Sequence, residues 1–483
     1  MRAQALFLLL GVLVALVAQA APDSAALRER YLLGAGVHVY PTAAAGNAKR
    51  GFIHRGQVVA VDGKVAGKGC AKGSWYALMG GGYACLERIT PSELSPAPQP
   101  VLVNFDAPLP EEYRNYAKTG KWERSPPDQT IPLVPFIYAK RWRAWQGPFY
   151  TSLKAFEQGA APAEDQMEPH RKFRFVDVRQ TKKGEVLVRP DGMVVPIKNM
   201  YVYPVTNFKG RDLELSPLPE GRIPAWVGGY DGAPLYTDPD AKSTVLATLE
   251  YHTVLELDPT PGDAAGRFWK VLNLDTIGYV DLQKGARRHA PQPRNPEISV
   301  EEEWIDIDVD QQMLTLYRGD TPIYITMVST GKVGYGTPLG IFRISDKMAW
   351  TDMQSRDDAE EDDVYWVEGV PWTMHFAFRY AIHASWWHWG YGNKASHGCV
   401  NLSPLDAREI FDRSRPALPP GWHTVYEMEQ DLGTTIRIRY GAEPVRDRRG
   451  AWDARWKGRW ASVDPNPPKP KAKPLEEAAP NGG

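Results

Sequence analysis

Two residues able to form an activated nucleophile stand 16 positions apart in this 483-residue chain. His383 closes the stretch Ala381-Ile382-His383-Ala384, and Cys399 lies inside Ser396-His397-Gly398-Cys399-Val400-Asn401-Leu402. A free thiol with a pKa of about 8.5 is only a few per cent thiolate at neutral pH. An adjacent imidazole takes the proton and leaves a thiolate–imidazolium pair, the reagent for attack on an acyl carbon. Gly398 allows a tight turn and close substrate approach. The backbone N–H groups near Gly398 and Cys399 are candidates to hold the oxyanion of an acyl-transfer intermediate. A competing reading is a zinc centre, because His375, His383, His388, His397 and Cys399 include enough N and S ligands for tetrahedral coordination. No His-Glu-x-x-His spacing accompanies them. Neither reading calls for an organic cofactor, and the thiol reading calls for no metal.

The elements needed to bring His383 and Cys399 together follow from the local pattern. His383 ends an apolar strand beginning near Phe376, and Val400 to Leu402 is a second strand. Adjacent strands joined by the intervening loop place both side chains at one end of a sheet. Trp386, Trp387, Trp389 and Tyr391 crowd that loop. They form either the wall of a peptide groove or an aromatic cluster that stabilises the loop. Upstream, Ile305, Ile307 and Val309 alternate with Asp306, Asp308 and Asp310, the pattern of a strand with one buried face. Met313 to Tyr317 and Ile323 to Val328 follow as strands about a Gly319-Asp320 turn. Ser403-Pro404 opens the one clear helix, with Ser403 as N-cap and Pro404 at the first helical position. Asp357, Asp358, Glu360, Glu361, Asp362 and Asp363 form an acidic run without the spaced ligands and glycine of a calcium loop, so it reads as a solvated insertion or the rim of a lid.

Three earlier segments share a pattern of short, half-buried strands ending on an aromatic or glycine-containing strand. Leu255 with Leu257, and Trp269 with Val271, straddle the polar Glu256 and Lys270. Gly 43 and Pro 42 exceed a combined average share of about 12 %, which argues against a helical bundle. Lys+Arg is 57 against Asp+Glu 58, which disfavours a whole-protein polyanion binder; no nucleic-acid partner is implied.

Arg2, the apolar run Ala5 to Ala18 and the Ala18-Gln19-Ala20 site read as a secretory signal peptide over residues 1–20. The run is short of the roughly 20 residues of a membrane span, so the mature protein is expected to be exported, with no membrane span. In an oxidising compartment Cys70 and Cys85 are candidates for a disulfide, against the alternative of two buried thiols. Pro91 to Pro100 reads as a linker, Ala290 to Pro296 with its three prolines as a second domain boundary, and 465–483 as a disordered tail.

The Ser-His-Gly-Cys stretch with its upstream histidine resembles the L,D-transpeptidase (YkuD-type) catalytic domain. Ser329-Thr330-Gly331, Thr337-Pro338-Leu339-Gly340-Ile341-Phe342 and Val370-Pro371-Trp372-Thr373-Met374 extend the resemblance over about 303–440. The family pattern often has glycine where this chain has Ala384. The first and third N-terminal segments resemble bacterial SH3-like domains, most clearly in Pro234-Leu235-Tyr236 and Trp269-Lys270-Val271…Gly278-Tyr279-Val280, and the second resembles a divergent copy. The implied fold is mainly β: a β-rich catalytic domain with one packed helix, preceded by two or three small SH3-like barrels. The expected boundaries are 30–90, a 91–130 linker, 131–215, 222–287 and 303–440.

The resemblance implies Cys399 as nucleophile and His383 as general base, with the Ala384 carbonyl holding its tautomer. Ser396, His397, Gly398 and Asn401 are supporting residues, and Trp386, Trp387 and Tyr391 are groove candidates. It further implies peptidoglycan stem peptides as partners, 3–3 cross-links as product, and a periplasmic or cell-wall location with wall binding through the SH3-like segments. L,D-carboxypeptidase activity and attachment of proteins to the wall use the same site; a non-catalytic wall-binding protein is a further alternative.

Overall fold

A computed structural model of the chain describes residues 29–93, 96, 134–141, 149–161, 171–355, 364–428 and 432–449. The signal peptide, the acidic run at 357–363, the C-terminal tail and almost all of the 91–130 linker lie outside these residues. The described part is mainly β. No helix in it is long and apolar enough to cross a membrane.

The C-terminal region from Glu303 onward is two sheets closed over one core. The first has the spatial order Arg211–Asp212, Thr321–Met327, Met313–Arg318, Glu303–Asp308, Thr435–Arg439 and Gly340–Arg343. In the second, Trp366–Ala377 lies between Asp346–Gln354 and Tyr380–Ala384, and Val400–Leu402 pairs in parallel with Tyr380–Ala384. Ile305, Ile307, Leu314 and Ile436 from one sheet meet Val370, Met374, Ile382 and Val400 from the other. The helix Pro404–Arg413 adds Ala407, Ile410 and Phe411 to this core. Its start follows the cap chemistry: the Ser403 side chain accepts from Asp406 N at 3.1 Å, with Pro404 in the first turn.

Two expectations are corrected. Glu303–Asp308 has no solvated face: Asp306 and Asp308 are each 2 % exposed. In the parallel register they lie opposite Arg437 and Arg439, and the carboxylates pair with those guanidiniums. The same arginines donate to the carbonyls of Ala290, Gln292 and Pro293. The proline-containing connection is thereby pinned over the sheet. The strand holding His383 also starts later than Phe376. A tight turn at Phe378-Arg379 divides Trp366–Ala377 from Tyr380–Ala384, with Arg379 at φ 63°. No glycine, asparagine or proline marks that turn in the sequence.

The first and third N-terminal units share one connectivity, and the second departs from it. The first has strands Arg30–Leu33, Val37–Tyr40, Gly51–Ile53, Val58–Val65, Ser74–Leu78, Tyr83–Leu86 and Ile89–Pro91. Counted within the unit, their spatial order is 3-2-6-5-4-1-7. The third, Ile223–Val227, Ala233–Tyr236, Val245–Leu249, Val254–Pro261, Phe268–Val271, Gly278–Asp281 and Ala286–Arg288, has the same order. In the second, Ile137–Arg141 pairs with both Arg171–Phe175 and Met200–Val202. The chain bends at Val176, and Asp177–Thr181, Gly184–Val188 and Val194–Pro196 then form a ladder. A Tyr150–Val194 bridge closes the unit. Cys70 and Cys85 are disulfide-bonded, with Cα atoms 5.6 Å apart.

All three units dock on the C-terminal region. Gly51 and Phe52 pair with Val425 and Thr424, and Arg171 and Lys172 pair in parallel with Trp366 and Val367. The third unit packs against the loop that joins His383 to Cys399.

Candidate active site

The parallel register sets Ile382 opposite Val400, His383 opposite Asn401 and Ala384 opposite Leu402. Strand alternation therefore puts His383 and Asn401 on one face. Cys399, one residue before its strand, continues that face on the diagonal from His383. The turn into Cys399 is fixed by Ser396, whose hydroxyl donates to Cys399 O at 2.5 Å and accepts from Gly398 N at 3.0 Å. Gly398 sits at φ 112°, and a Cβ there would run into the Tyr380 ring. Only glycine satisfies both the dihedral and the contact. Because the Gly398 N–H is committed to Ser396, the oxyanion expectation narrows to the Cys399 N–H.

The strand partner on the other side is Ser329-Thr330-Gly331. Ser329 and Asn401 exchange backbone hydrogen bonds at 2.9 and 2.8 Å, and Ser396 N donates to Thr330 O at 3.1 Å. Gly331 N donates to Thr337 Oγ1 at 2.9 Å. The two upstream motifs thus hold the Ser396–Asn401 segment.

His383 is buried, and its Nδ1 donates to the Ala384 carbonyl at 3.0 Å. A carbonyl only accepts, so Nδ1 carries the proton and Nε2 is left as the acceptor and base. Burial lowers the imidazole to about 4; the carbonyl opposes the shift and His375 adds to it. Cys399 is a free, half-buried thiol 3.8 Å from Arg379 O. Burial pushes it up to about 11, with a backbone contact from Ala381 opposing. Both shifts favour neutral groups. The free site therefore rests as thiol and imidazole, not as the ion pair that spacing alone suggests.

Three tyrosines without a sequence signal of their own, Tyr335, Tyr365 and Tyr380, line the turn that carries the thiol. Tyr380 packs on Gly398. Tyr365 is raised to about 12 by burial and then by Cys399, with Arg379 opposing. Tyr335 and Tyr365 flank the His397 ring at 4.7 and 5.2 Å. His397 therefore belongs to a wall of rings. Trp387 faces His383, with ring centroids 5.8 Å apart.

The other groove candidates lie elsewhere. Trp386 is 2 % exposed, stacked on Tyr138 and flanked by Tyr203 of the second unit. Tyr391 is fully buried with Phe208, Trp226, Met313 and Met327. Both hold the loop, the second of the two readings the sequence leaves open, and the residues that decide between them include Tyr138 and Trp226 from other units. The histidines of the zinc reading do not converge: His375 pairs with Asp346 at 2.8 Å, His388 meets Asn401 at 2.9 Å, and His397 sits between tyrosines. Among the described residues no group of three metal-ligating side chains forms.

Residues 302–445 match the family model of the L,D-transpeptidase catalytic domain, YkuD. This region is similar to the L,D-transpeptidase catalytic domain. YciB of Bacillus subtilis (strain 168) is 28 % identical over 133 residues, which is 24 % of this chain and 63 % of YciB. The chain thus spans less than two thirds of that relative's length. Among solved structures, the catalytic domain of an Enterococcus faecium L,D-transpeptidase aligns at 23 % identity with a TM-score of 0.23, covering 29 % of this chain and 98 % of that one. An L,D-transpeptidase from Stackebrandtia nassauensis aligns at 22 % identity with a TM-score of 0.21, covering 30 % and 58 %. The match confines itself to the C-terminal region, and the three units before it lie outside it.

Proposed function

We propose that the chain is an exported peptidoglycan L,D-transpeptidase acting through a Cys399 acyl-enzyme. The observation that carries this reading is the placement of Cys399 and His383 on one sheet face within the L,D-transpeptidase domain, with the His383 tautomer set by Ala384 O. Nε2 of His383 takes the thiol proton as sulfur attacks the carbonyl between the third and fourth stem residues. The Cys399 N–H faces the developing oxyanion. The proton passes to the leaving amine, the terminal D-Ala departs, and a thioester remains. A side-chain amine of a neighbouring stem then attacks the thioester, returning the thiol and forming a 3–3 cross-link. Water or a protein lysine as acceptor makes the same site a carboxypeptidase or a protein-to-wall ligase. Trp387, Tyr335 and Tyr365 are the ring surfaces left to meet a peptide. The first and third N-terminal units share one strand order, which supports a kinship between those two, and we assign the N-terminal units an SH3-like role in holding wall substrate.

The test is intact-protein mass after incubation with a carbapenem, compared with Cys399→Ala. A stoichiometric adduct lost in the variant supports the reading. A thiol that alkylates freely but takes no carbapenem overturns it in favour of a wall-binding role. Muropeptide products then distinguish the acceptors.

A further inference from the structure

The loop between His383 and Cys399 is held from outside its own domain. The Tyr251 hydroxyl of the third unit lies 2.8 Å from both the Trp389 and Tyr391 carbonyl oxygens. Arg287 Nε donates to Gly392 O at 2.8 Å, and Asn393 Nδ2 donates back to Gly228 O at 2.6 Å. The two backbones meet at glycines: a Cβ on Gly392 would stand 2.8 Å from Gly228 Cα, too close for any side chain. The turn that presents Tyr251 is itself fixed. His252 has φ 69°, a conformation that persists in a non-glycine residue only where its surroundings impose it. Its ring lies 4.3 Å from Phe208 and 3.8 Å from Tyr251.

The same loop reaches the reacting face. Ser329 Oγ donates to Gly390 O at 2.9 Å, and Gly390 N donates to His388 Nδ1 at 3.1 Å. With Nδ1 accepting, the neutral ring carries its proton on Nε2 and must donate to the Asn401 amide 2.9 Å away. Burial keeps His388 neutral. The structure sets Asn401 Nδ2 against His388 Nε2, two donors 2.9 Å apart, so the amide's nitrogen and oxygen are exchanged here: the oxygen faces His388 and the NH2 takes the place of Oδ1. That place is buried and has no hydrogen-bond partner among the described residues. Asn401 stands opposite His383 in the strand register, so the unpartnered donor belongs to the strand next to that of His383.

We propose that Tyr251 and Arg287 are positioning residues for the Cys399 reaction: they fix the 389–393 loop so that His388 holds the Asn401 amide, and with it the strand that follows Cys399, in one arrangement opposite His383. The inference rests on the acyl-transfer reading of the site. It makes the third unit a working part of the site, distinct from a wall-targeting role. Loss of the unit disables turnover of soluble stem peptides as well as of sacculi.

Tyr251→Phe removes one hydroxyl and keeps the ring. The expected result is a kcat about tenfold lower on a soluble tetrapeptide stem, with KM within about twofold, the signature of lost positioning. The pH midpoint of Cys399 alkylation by iodoacetamide also moves down toward the ordinary thiol range as water enters. Arg287→Lys keeps the charge, loses the Nε donor and gives the same signature. In an Asn401→Ala background Tyr251→Phe causes little further loss, because both act through one chain of contacts. A merely structural role lowers Tm and moves neither readout. An unchanged alkylation midpoint, or a full additional loss in the Asn401→Ala background, overturns the proposal. Alkylation needs no stem peptide. A wild type that alkylates yet turns over no stem peptide overturns the transpeptidase reading alone, and the midpoint still decides the part played by Tyr251.

Discussion

The ring of Tyr138 lies over that of Trp386, with centroids 3.9 Å apart and planes 9° from parallel. The Tyr138 hydroxyl donates to Gly369 O at 2.5 Å. One side chain of the second unit thus pins both the loop after His383 and the central strand of the catalytic sheet. Tyr138→Ala is expected to cost about 3–5 kcal/mol through the cavity it leaves. Tyr138→Phe keeps the stack and strands a buried carbonyl, for about 1–3 kcal/mol. Urea unfolding of the two variants checks the order. Equal losses would show that stacking contributes nothing beyond the hydrogen bond.

A neutral Cys399–His383 pair has a distinctive pH profile. Attack assisted by a neutral imidazole requires only that His383 be unprotonated, and its pKa is held down at about 4. Carbapenem acylation should therefore be flat from about pH 5 to 9 instead of falling below about 6.5, the ordinary histidine value. Iodoacetamide has no proton to return to a leaving group and reports thiolate alone, so its rate should rise about tenfold per pH unit over the same range. An alkylation plateau already reached at pH 7 would show a preformed ion pair and refute the neutral assignment.

How much of this was legible in sequence depends on where the deciding partner lies. Ser403-Pro404 is readable because a cap is local: the N–H it satisfies belongs to Asp406. Cys399 and His383 are readable because their chemistry is rare and their strands adjoin. Asp306 and Asp308 mislead, because alternation presumes water on the second face and the residues that replace water, Arg437 and Arg439, lie about 130 positions away. Trp386 and Tyr391 read equally as groove walls or as loop packing until Tyr138 and Trp226 arrive from other units. Arg379 hides a chain reversal, since its turn uses no residue suited to positive φ.

Gly398 is the narrowest constraint on the site. Gly398→Ala forces a Cβ against Tyr380 at φ 112°. The turn must relax, taking the Ser396 hydroxyl off Cys399 O. Misplacing a nucleophile by about 1 Å costs on the order of 100-fold in rate. The carbapenem acylation rate of Gly398→Ala should fall by that order while the protein stays folded by circular dichroism. Wild-type acylation in the variant would remove the Ser396 turn from the account.

Asp306 ties three elements together, and its removal leaves two guanidiniums buried with fewer counter-charges. Breaking such a cluster from one side typically costs about 3–5 kcal/mol. Asp306→Ala should therefore destabilise far more than Asp310→Ala at the end of the same alternation. Because the arginines also hold the 290–293 carbonyls, Asp306→Ala should expose that connection to limited proteolysis. Intact 290–293 at the wild-type rate would show that the carbonyls alone hold it.

His54 of the first unit and His423 of the catalytic region meet with ring centroids 4.2 Å apart. Trp350 stacks on His54 at 5.2 Å and carries the Arg174 guanidinium 4.0 Å over its own ring. Phe52 flanks both histidines, Thr424 Oγ1 lies 2.8 Å from His423 Nδ1, and the carboxylates acting on Arg174 are Asp352, paired with it at 3.2 Å, and Glu368. Burial, then Arg174, lowers His54 to about 4; burial, then His54, lowers His423 to about 3. The sign follows from proton binding. Below about 6.5 the unfolded histidines take up protons that the folded interface refuses, so stability present at neutral pH is lost as pH falls toward about 4. Other buried histidines titrate in the same window, so the interface is isolated by a difference: Tm from pH 7.5 to 4.5 for wild type and for His54→Gln with His423→Gln. The variant starts lower at neutral pH, where it loses the packed rings, and declines less steeply in acid. Parallel curves would mean that the two rings stay neutral in both states, and the docking of the first unit would then be indifferent to acid.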